Sequence, residues 1–277
     1  MTTLKKYNSS DVFKSTYILK KFNDNYYRLV YLKGCRQKGF ESITNKKIRK
    51  TLKLMGIGLI WVNYHNLHSK NLYNKFIKIS KLYYIRLDSS ISRTKSKIFE
   101  YCICNNFDYF VTLTINSDKY DRYNLSLFYN DFSQFIRNYR RKYNLDIQYL
   151  FVPEQHKNGA WHLHGLIKGI PLEHFTINNN GYLDWLVYKE KFGFISLDKI
   201  KDNYACSIYM TKYITKDFYL NNKLNRGYKM YYCSRGLKKA SEIYRGNIFG
   251  EVYNKPDFYN DYCKIYNFNN INDLKIK

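Results

Sequence analysis

The chain has 277 residues, 45% of them hydrophobic, enough to bury a sizeable core and too many for a disordered polymer. Its 47 Lys and Arg stand against 22 Asp and Glu, a formal charge of +25. Such an excess repels itself unless a polyanion is near, which points to nucleic acid; a membrane surface would need a basic amphipathic or lipidated segment, and none is evident.

Other classes drop out for want of their motifs. There is no GxxxxGK[ST] phosphate loop, so no nucleotide-driven motor is expected. The start, MTTLKKYNSS, has no apolar core of a secretory signal, and the apolar run from Leu52 to Val62 is too short to span a bilayer. The six Cys form no CxxC pair, so neither a zinc knuckle nor a disulfide framework is indicated, and a reduced, cytoplasmic setting is expected. The 31 Tyr and 18 Phe fit the coding bias of an AT-rich genome, and they also supply stacking surfaces for unpaired bases.

The polar stretch Asp88–Lys97 marks the clearest boundary, between residues 1–90 and a patterned part, 91–220; a Tyr- and Asn-rich C-terminal extension, 221–277, follows. The first part is basic, with a cluster at Lys46, Lys47, Arg49, Lys50 and Lys53 suited either to a solvated helix face or to a nucleic-acid backbone. The second is patterned. Ile98–Asn105 reads as a short helix. Tyr109–Ile115 is aromatic and β-branched and predicts a strand. From Ser126 to Tyr143 apolar residues recur at steps of three and four (Leu127, Phe128, Phe132, Phe135, Ile136, Tyr139), which predicts an amphipathic helix. Arg137, Arg140, Arg141 and Lys142 near its end suit a helix C-terminus; the three arginines, with Arg235, Lys238 and Lys239 further on, are also candidate DNA-backbone contacts. Ile147–Val152, Trp161–Ile167 and Phe192–Ser196 predict three more strands, and Ile200–Phe218 a closing helix. This order predicts an α+β fold, a two-layer antiparallel sheet with helices packed on one face.

Trp161-His162-Leu163-His164-Gly165 puts two imidazoles on one face of a strand, about 7 Å apart, where they can chelate one divalent ion. A third ligand depends on the turn at Asn158-Gly159. A two-residue turn pairs Lys157 with Ala160 and points Glu154 away. A turn with Gly159 in the left-handed conformation pairs His156 with Ala160 and sets Glu154 opposite His162. The second register is preferred, because a Glu ending an apolar strand is hard to explain as core; His156 is the weaker alternative ligand. Tyr209-Met-Thr-Lys212-Tyr213-Ile-Thr-Lys216 repeats YxxK in tandem, so on a helix Tyr209 and Tyr213 share a face beside Lys212 and Lys216. A phenol is a poor nucleophile at neutral pH unless a metal polarises its target and a cation stabilises the developing charge.

The succession FVTLT (Phe110–Thr114), HLH (His162–His164) and YMTKYITK (Tyr209–Lys216) resembles the His-hydrophobe-His endonuclease superfamily of rolling-circle replication initiators. The tandem YxxK resembles its two-tyrosine members from phages and plasmids, as does Tyr231–Lys238. The resemblance spans residues 95–240. It implies an enzyme that nicks and rejoins one DNA strand at an origin. His162, His164 and Glu154 would hold Mg²⁺ or Mn²⁺. Tyr209 or Tyr213 would attack, leaving a 5′-phosphotyrosine and a free 3′-OH. Lys212 and Lys216 would stabilise the charge, and Thr112 and Thr114 would be mostly structural. A two-imidazole site is softer than Mg²⁺ prefers, so Mn²⁺ would support the stronger activity. Expected partners are single-stranded or supercoiled origin DNA, a host helicase and a DNA polymerase, with no small-molecule substrate. The alternatives are a non-catalytic DNA- or RNA-binding protein on the same scaffold, a plasmid mobilisation relaxase, and a metal-dependent hydrolase with no covalent step.

Overall fold

A computed structural model of the chain describes residues 13–36, 90–214, 229–248, 250–261 and 263–276. In chain order the strands are β1 (Phe13–Asn23), β2 (Tyr26–Arg36), β3 (Tyr109–Thr114), β4 (Gln148–Gln155), β5 (Trp161–Lys168), β6 (Thr176–Ile177), β7 (Leu183–Asp184), β8 (Ile195–Lys199), β9 (Tyr232–Cys233), β10 (Ser241–Gly246), β11 (Phe258–Tyr259) and β12 (Cys263–Phe268). The helices are α1 (90–104), α2 (Leu125–Tyr143), α3 (Leu186–Lys191) and α4 (Asn203–Lys212). The chain divides into two compact units, one of residues 90–240 and one joining the N-terminal part to residues 241–277. The basic cluster at 46–53 lies outside the described residues. No helix among the described residues is long and apolar enough to cross a membrane.

In the 90–240 unit, an antiparallel sheet runs β8-β3-β5-β4-β9. β3 alternates strictly, and β4 and β5 bury residues on both faces over part of their length. Tyr109, Val111 and Leu113 on β3, Tyr149 and Phe151 on β4, and Trp161, Leu163 and Ile167 on β5 all join one core. α2 covers that face with Leu125, Phe128, Phe132, Ile136 and Tyr139, a stripe at steps of three and four. Leu127 sits about 100° round from Phe128 and is exposed, so the stripe begins at Leu125 instead. Asn124 caps the helix by accepting from the Leu127 N–H, and Asn144 ends it in the left-handed conformation. α3 adds Tyr188, and Phe192 follows it into the same core. This is the α+β antiparallel architecture that the pattern predicts.

Several boundaries shift. α1 begins at residue 90, eight residues before the predicted start at Ile98 and inside the polar stretch Asp88–Lys97. β8 begins at Ile195, three residues after the predicted start, because Phe192 caps α3 and Gly193 turns the chain with φ +137. A Cβ at Gly193 would stand 2.7 Å from both the Asn116 nitrogen and the Thr114 oxygen, so only glycine fits. α4 starts at Asn203, capped by Asp202 accepting from the Tyr204 and Ala205 N–H groups, and ends at Lys212.

The other unit holds a second antiparallel sheet, β10-β1-β2-β12-β11. Its core is Leu19, Leu29, Tyr266 and Phe268, with Tyr17, Tyr27 and Tyr244 packed against it.

Candidate active site

The β4–β5 hairpin decides which side chains lie on the face of the first sheet opposite α2. Gly159 has φ +86, its N–H donates to the His156 carbonyl at 2.8 Å, and the His156 N–H donates to the Ala160 carbonyl at 2.9 Å. This is the register with a left-handed glycine, and it pairs Glu154 with His162 and Val152 with His164. On the far side of β5, Thr114 pairs with His162 and Thr112 with His164. Two rows therefore cross the sheet on one face, Thr114–His162–Glu154 and Thr112–His164–Val152, opposite the face that α2 covers. Gly165 keeps the strand close to its neighbour, since a Cβ there would fall 2.0 Å from the Phe151 ring and 2.4 Å from the Leu150 oxygen.

His164 is fixed at both nitrogens. Its Nε2 lies 2.7 Å from Glu154 Oε2, and its Nδ1 lies 3.2 Å from Thr112 Oγ1. A carboxylate only accepts, so Nε2 carries the proton and the Thr112 hydroxyl donates to Nδ1. Burial lowers the His164 pKa, while the Glu154 hydrogen bond and charge oppose it, so at neutral pH the contact joins a neutral imidazole to a carboxylate. His162 stacks against His156 with ring centroids 4.0 Å apart. Burial, with the neighbouring His156 and His164, lowers its pKa to about 4. Both imidazoles are therefore uncharged near pH 7, the form that ligates metals.

The phenols arrive from α4. Met210 and Ser207 are fully buried and anchor the helix, and the Phe99 ring of α1 meets Tyr204 edge-on at 5.9 Å. The Tyr209 ring meets Phe110 of β3 at 5.3 Å. Tyr213, at the C-cap, lies flat on His164, with centroids 4.3 Å apart and planes 8° from parallel. The two tyrosines touch edge-on at 5.4 Å, and Lys212 Nζ stands 5.1 Å from the Tyr209 ring centroid. Burial raises the Tyr213 pKa, with smaller contributions from its hydrogen bond and charge coupling to Tyr209 and from Glu154. Its phenol is thus protonated at neutral pH.

His162, His164, Glu154, Tyr209, Tyr213 and Lys212 come together; Lys216 lies outside the described residues. Arg137, Arg140 and Arg141 sit on α2, across the sheet, and bond to Gln134, Asp146 and Asn138 respectively. Arg235, Lys238 and Lys239 are exposed on the segment after β9, where the Lys238 N–H donates to Asn105 Oδ1. No group of three or more His, Cys, Asp or Glu among the described residues is arranged, as it stands, to hold an ion. The donor chemistry nevertheless suits one, with two neutral imidazoles and a carboxylate in adjacent rows of one face. The His164–Glu154 hydrogen bond is the contact an ion would have to replace. Thr112 tolerates that exchange, because its hydroxyl can accept from Nδ1–H as readily as it donates to bare Nδ1.

One charged neighbour is invisible to motif reading. Arg122 lies in the loop before α2, and its carbonyl accepts from the Trp161 N–H at 2.9 Å, which pins it beside the start of β5. Its charge is among the influences that depress the His162 pKa. Its Nε is buried and has no hydrogen-bond partner among the described residues. A lone Arg in a polar loop carries no sequence signal.

Against known proteins, the family model of replication-associated protein ORF2 matches residues 108–218, which takes in β3, the histidine strand and both tyrosines. No curated protein and no solved structure matches the chain. Over that stretch, less than half its length, the chain is similar to replication-associated proteins of the ORF2 family.

Proposed function

We propose that the chain initiates replication by nicking one DNA strand through a metal-assisted tyrosine attack and later rejoins it. The observation that carries this reading is the Tyr213 ring lying on His164 with Tyr209 at its edge, two phenols against an imidazole pair with a carboxylate. The family match supports a role in replication.

His162, His164 and Glu154 would hold a Mg²⁺ or Mn²⁺ ion, which when bound supplies Lewis-acid polarisation of the scissile phosphate. The chain's own residues do the rest. Thr112 fixes the His164 ring. Tyr209 or Tyr213 forms a bond from its oxygen to phosphorus, and the bond to the 3′ oxygen breaks, leaving a 3′-OH and a 5′-phosphotyrosine. Burial opposes loss of the phenol proton, so cations matter: Lys212, beside the Tyr209 ring, and by the YxxK spacing Lys216 would serve the phenolate, and Arg122 the phosphate. The second tyrosine can repeat the attack on a regenerated origin and so allow rejoining. A host helicase and polymerase would extend the 3′-OH.

The test is covalent capture. The protein is incubated with labelled single-stranded origin DNA and Mn²⁺ and run on a denaturing gel. The expected result is a protein–DNA adduct that is lost with EDTA, in the double variant Tyr209→Phe/Tyr213→Phe, and in His162→Ala/His164→Ala. Salt-sensitive binding with no adduct on any origin sequence would instead make the chain a non-catalytic binder. Cleavage that survives the double Phe change would make it a hydrolase.

A further inference from the structure

The 90–240 unit contains a second feature that the nicking chemistry does not use. A cavity of about 430 Å³ opens at the sheet edge, where β9, among the described residues, pairs with β4 alone. Its walls include Tyr129 of α2, Thr94 of α1, and Lys229, Tyr231 and Tyr232 around β9. Three aromatic rings and an ammonium around one hollow fit an anionic, aromatic ligand.

The rings are held in place. Tyr129 and Tyr232 pack with centroids 3.9 Å apart, and the Tyr129 hydroxyl is engaged with that of Tyr149 at 3.0 Å. Tyr231 is half-buried, tilted against Tyr101 at 6.3 Å. Lys229, Lys239 and Lys97 each pull the Cys233 thiol pKa down against the burial that raises it, while Glu100, ion-paired with Lys97, is the acid beside Tyr231. The cavity also lies in line with the candidate active site. Cys233 pairs with Leu150 on β4, and Glu154 is four residues further along, about 13 Å at the rise of a strand. A strand stacked at about 3.4 Å per nucleotide covers that distance in about four nucleotides.

We propose that this cavity takes one unpaired nucleotide of the same DNA strand, base against Tyr231 and phosphate at Lys229, and so anchors the strand a few nucleotides from the point of attack. The proposal rests on the reading of the chain as a DNA-strand enzyme. Occupation of the cavity by a nucleotide does not depend on which tyrosine attacks, and the cross-link reads it separately from the adduct.

The test uses the full chain and single-stranded oligonucleotides carrying 5-iododeoxyuridine at successive positions. After irradiation, the cross-linked peptides are identified by mass spectrometry. In parallel, affinities are measured by fluorescence anisotropy for wild type, Tyr231→Ala, Tyr231→Phe and Lys229→Ala, with thymidine monophosphate as competitor. The expected results are a cross-link to Tyr231 or Tyr129 and affinity about 5- to 100-fold weaker in Tyr231→Ala. Tyr231→Phe should keep wild-type affinity, and Lys229→Ala should make the logarithmic salt dependence shallower by about one. Cross-links confined to other peptides, with wild-type affinity in Tyr231→Ala, would overturn the proposal. So would equal loss of affinity and melting temperature in Tyr231→Ala and Tyr231→Phe, which would make the ring a packing element. Competition by the mononucleotide at the oligonucleotide's own affinity would overturn the strand as the source. Absence of any adduct in wild type, with the cross-link present, would contradict the nicking reading and leave the cavity as assigned.

Discussion

At the scale of single residues, burial holds both imidazoles of the site uncharged, the form that ligates metals, and holds the Tyr213 phenol protonated. His162 has its pKa lowered to about 4 from an ordinary 6.5, chiefly by burial. A histidine depressed on folding contributes stability that is full above the unfolded pKa and is lost as pH falls through the folded one. Stability should therefore decline between about pH 6.5 and 4, and His162→Gln should flatten that part of the curve in denaturant titrations at stepped pH. Mn²⁺ binding should also persist at about pH 5.5, where an ordinary imidazole pair would be protonated. Thr112 is a positioning residue. Thr112→Val should weaken Mn²⁺ binding about 10-fold by calorimetry without lowering the melting temperature much. Arg122 is the sharper case. A buried guanidinium nitrogen without an acceptor costs stability, and a bound anion would supply the acceptor that Arg122 Nε lacks among the described residues. Arg122→Gln should slow single-turnover adduct formation about 100-fold and leave thermal stability unchanged or raised. A rate within twofold of wild type would remove Arg122 from the phosphate site.

At the scale of elements, the legible parts are those where periodicity is enforced by a buried face. The two-residue period of β5 places His162 and His164 together, and the Asn-Gly turn narrows the hairpin to two registers, of which the structure has the one that brings Glu154 across from His162. α2 is legible for the same reason, apart from the exchange of Leu127 for Leu125. α4 is read too long because the YxxK repeat continues helical spacing, whereas the observed helix ends at Lys212 and leaves Tyr213 at the cap, where its ring lies on His164. β8 is read too early because the turn at Gly193 is set by the Thr114 and Asn116 backbone, a tertiary contact. Arg122 is missed because its significance lies in burial within a loop. The hairpin also gives an element-scale test. Gly165→Ala drives a methyl into the Phe151 ring and the Leu150 carbonyl, so it should destabilise the protein by about 1–3 kcal/mol or more in thermal unfolding.

At the scale of the whole molecule, the charge of +25 favours a polyanionic partner, and the similarity to replication-associated proteins over residues 108–218 supports nucleic acid as that partner. Affinity for a single strand should then fall steeply between about 50 and 200 mM salt, by a factor set by the number of phosphates neutralised. Binding alone does not distinguish an enzyme from a coat; a covalent link from one of the two phenols to DNA would. The most direct measurement is mass spectrometry of the DNA-linked peptide after Mn²⁺-dependent reaction and nuclease trimming. A nucleotide phosphate on Tyr209 or Tyr213 is the expected result. A nucleotide on any other residue, or cleaved DNA with no nucleotide on the protein, would contradict it.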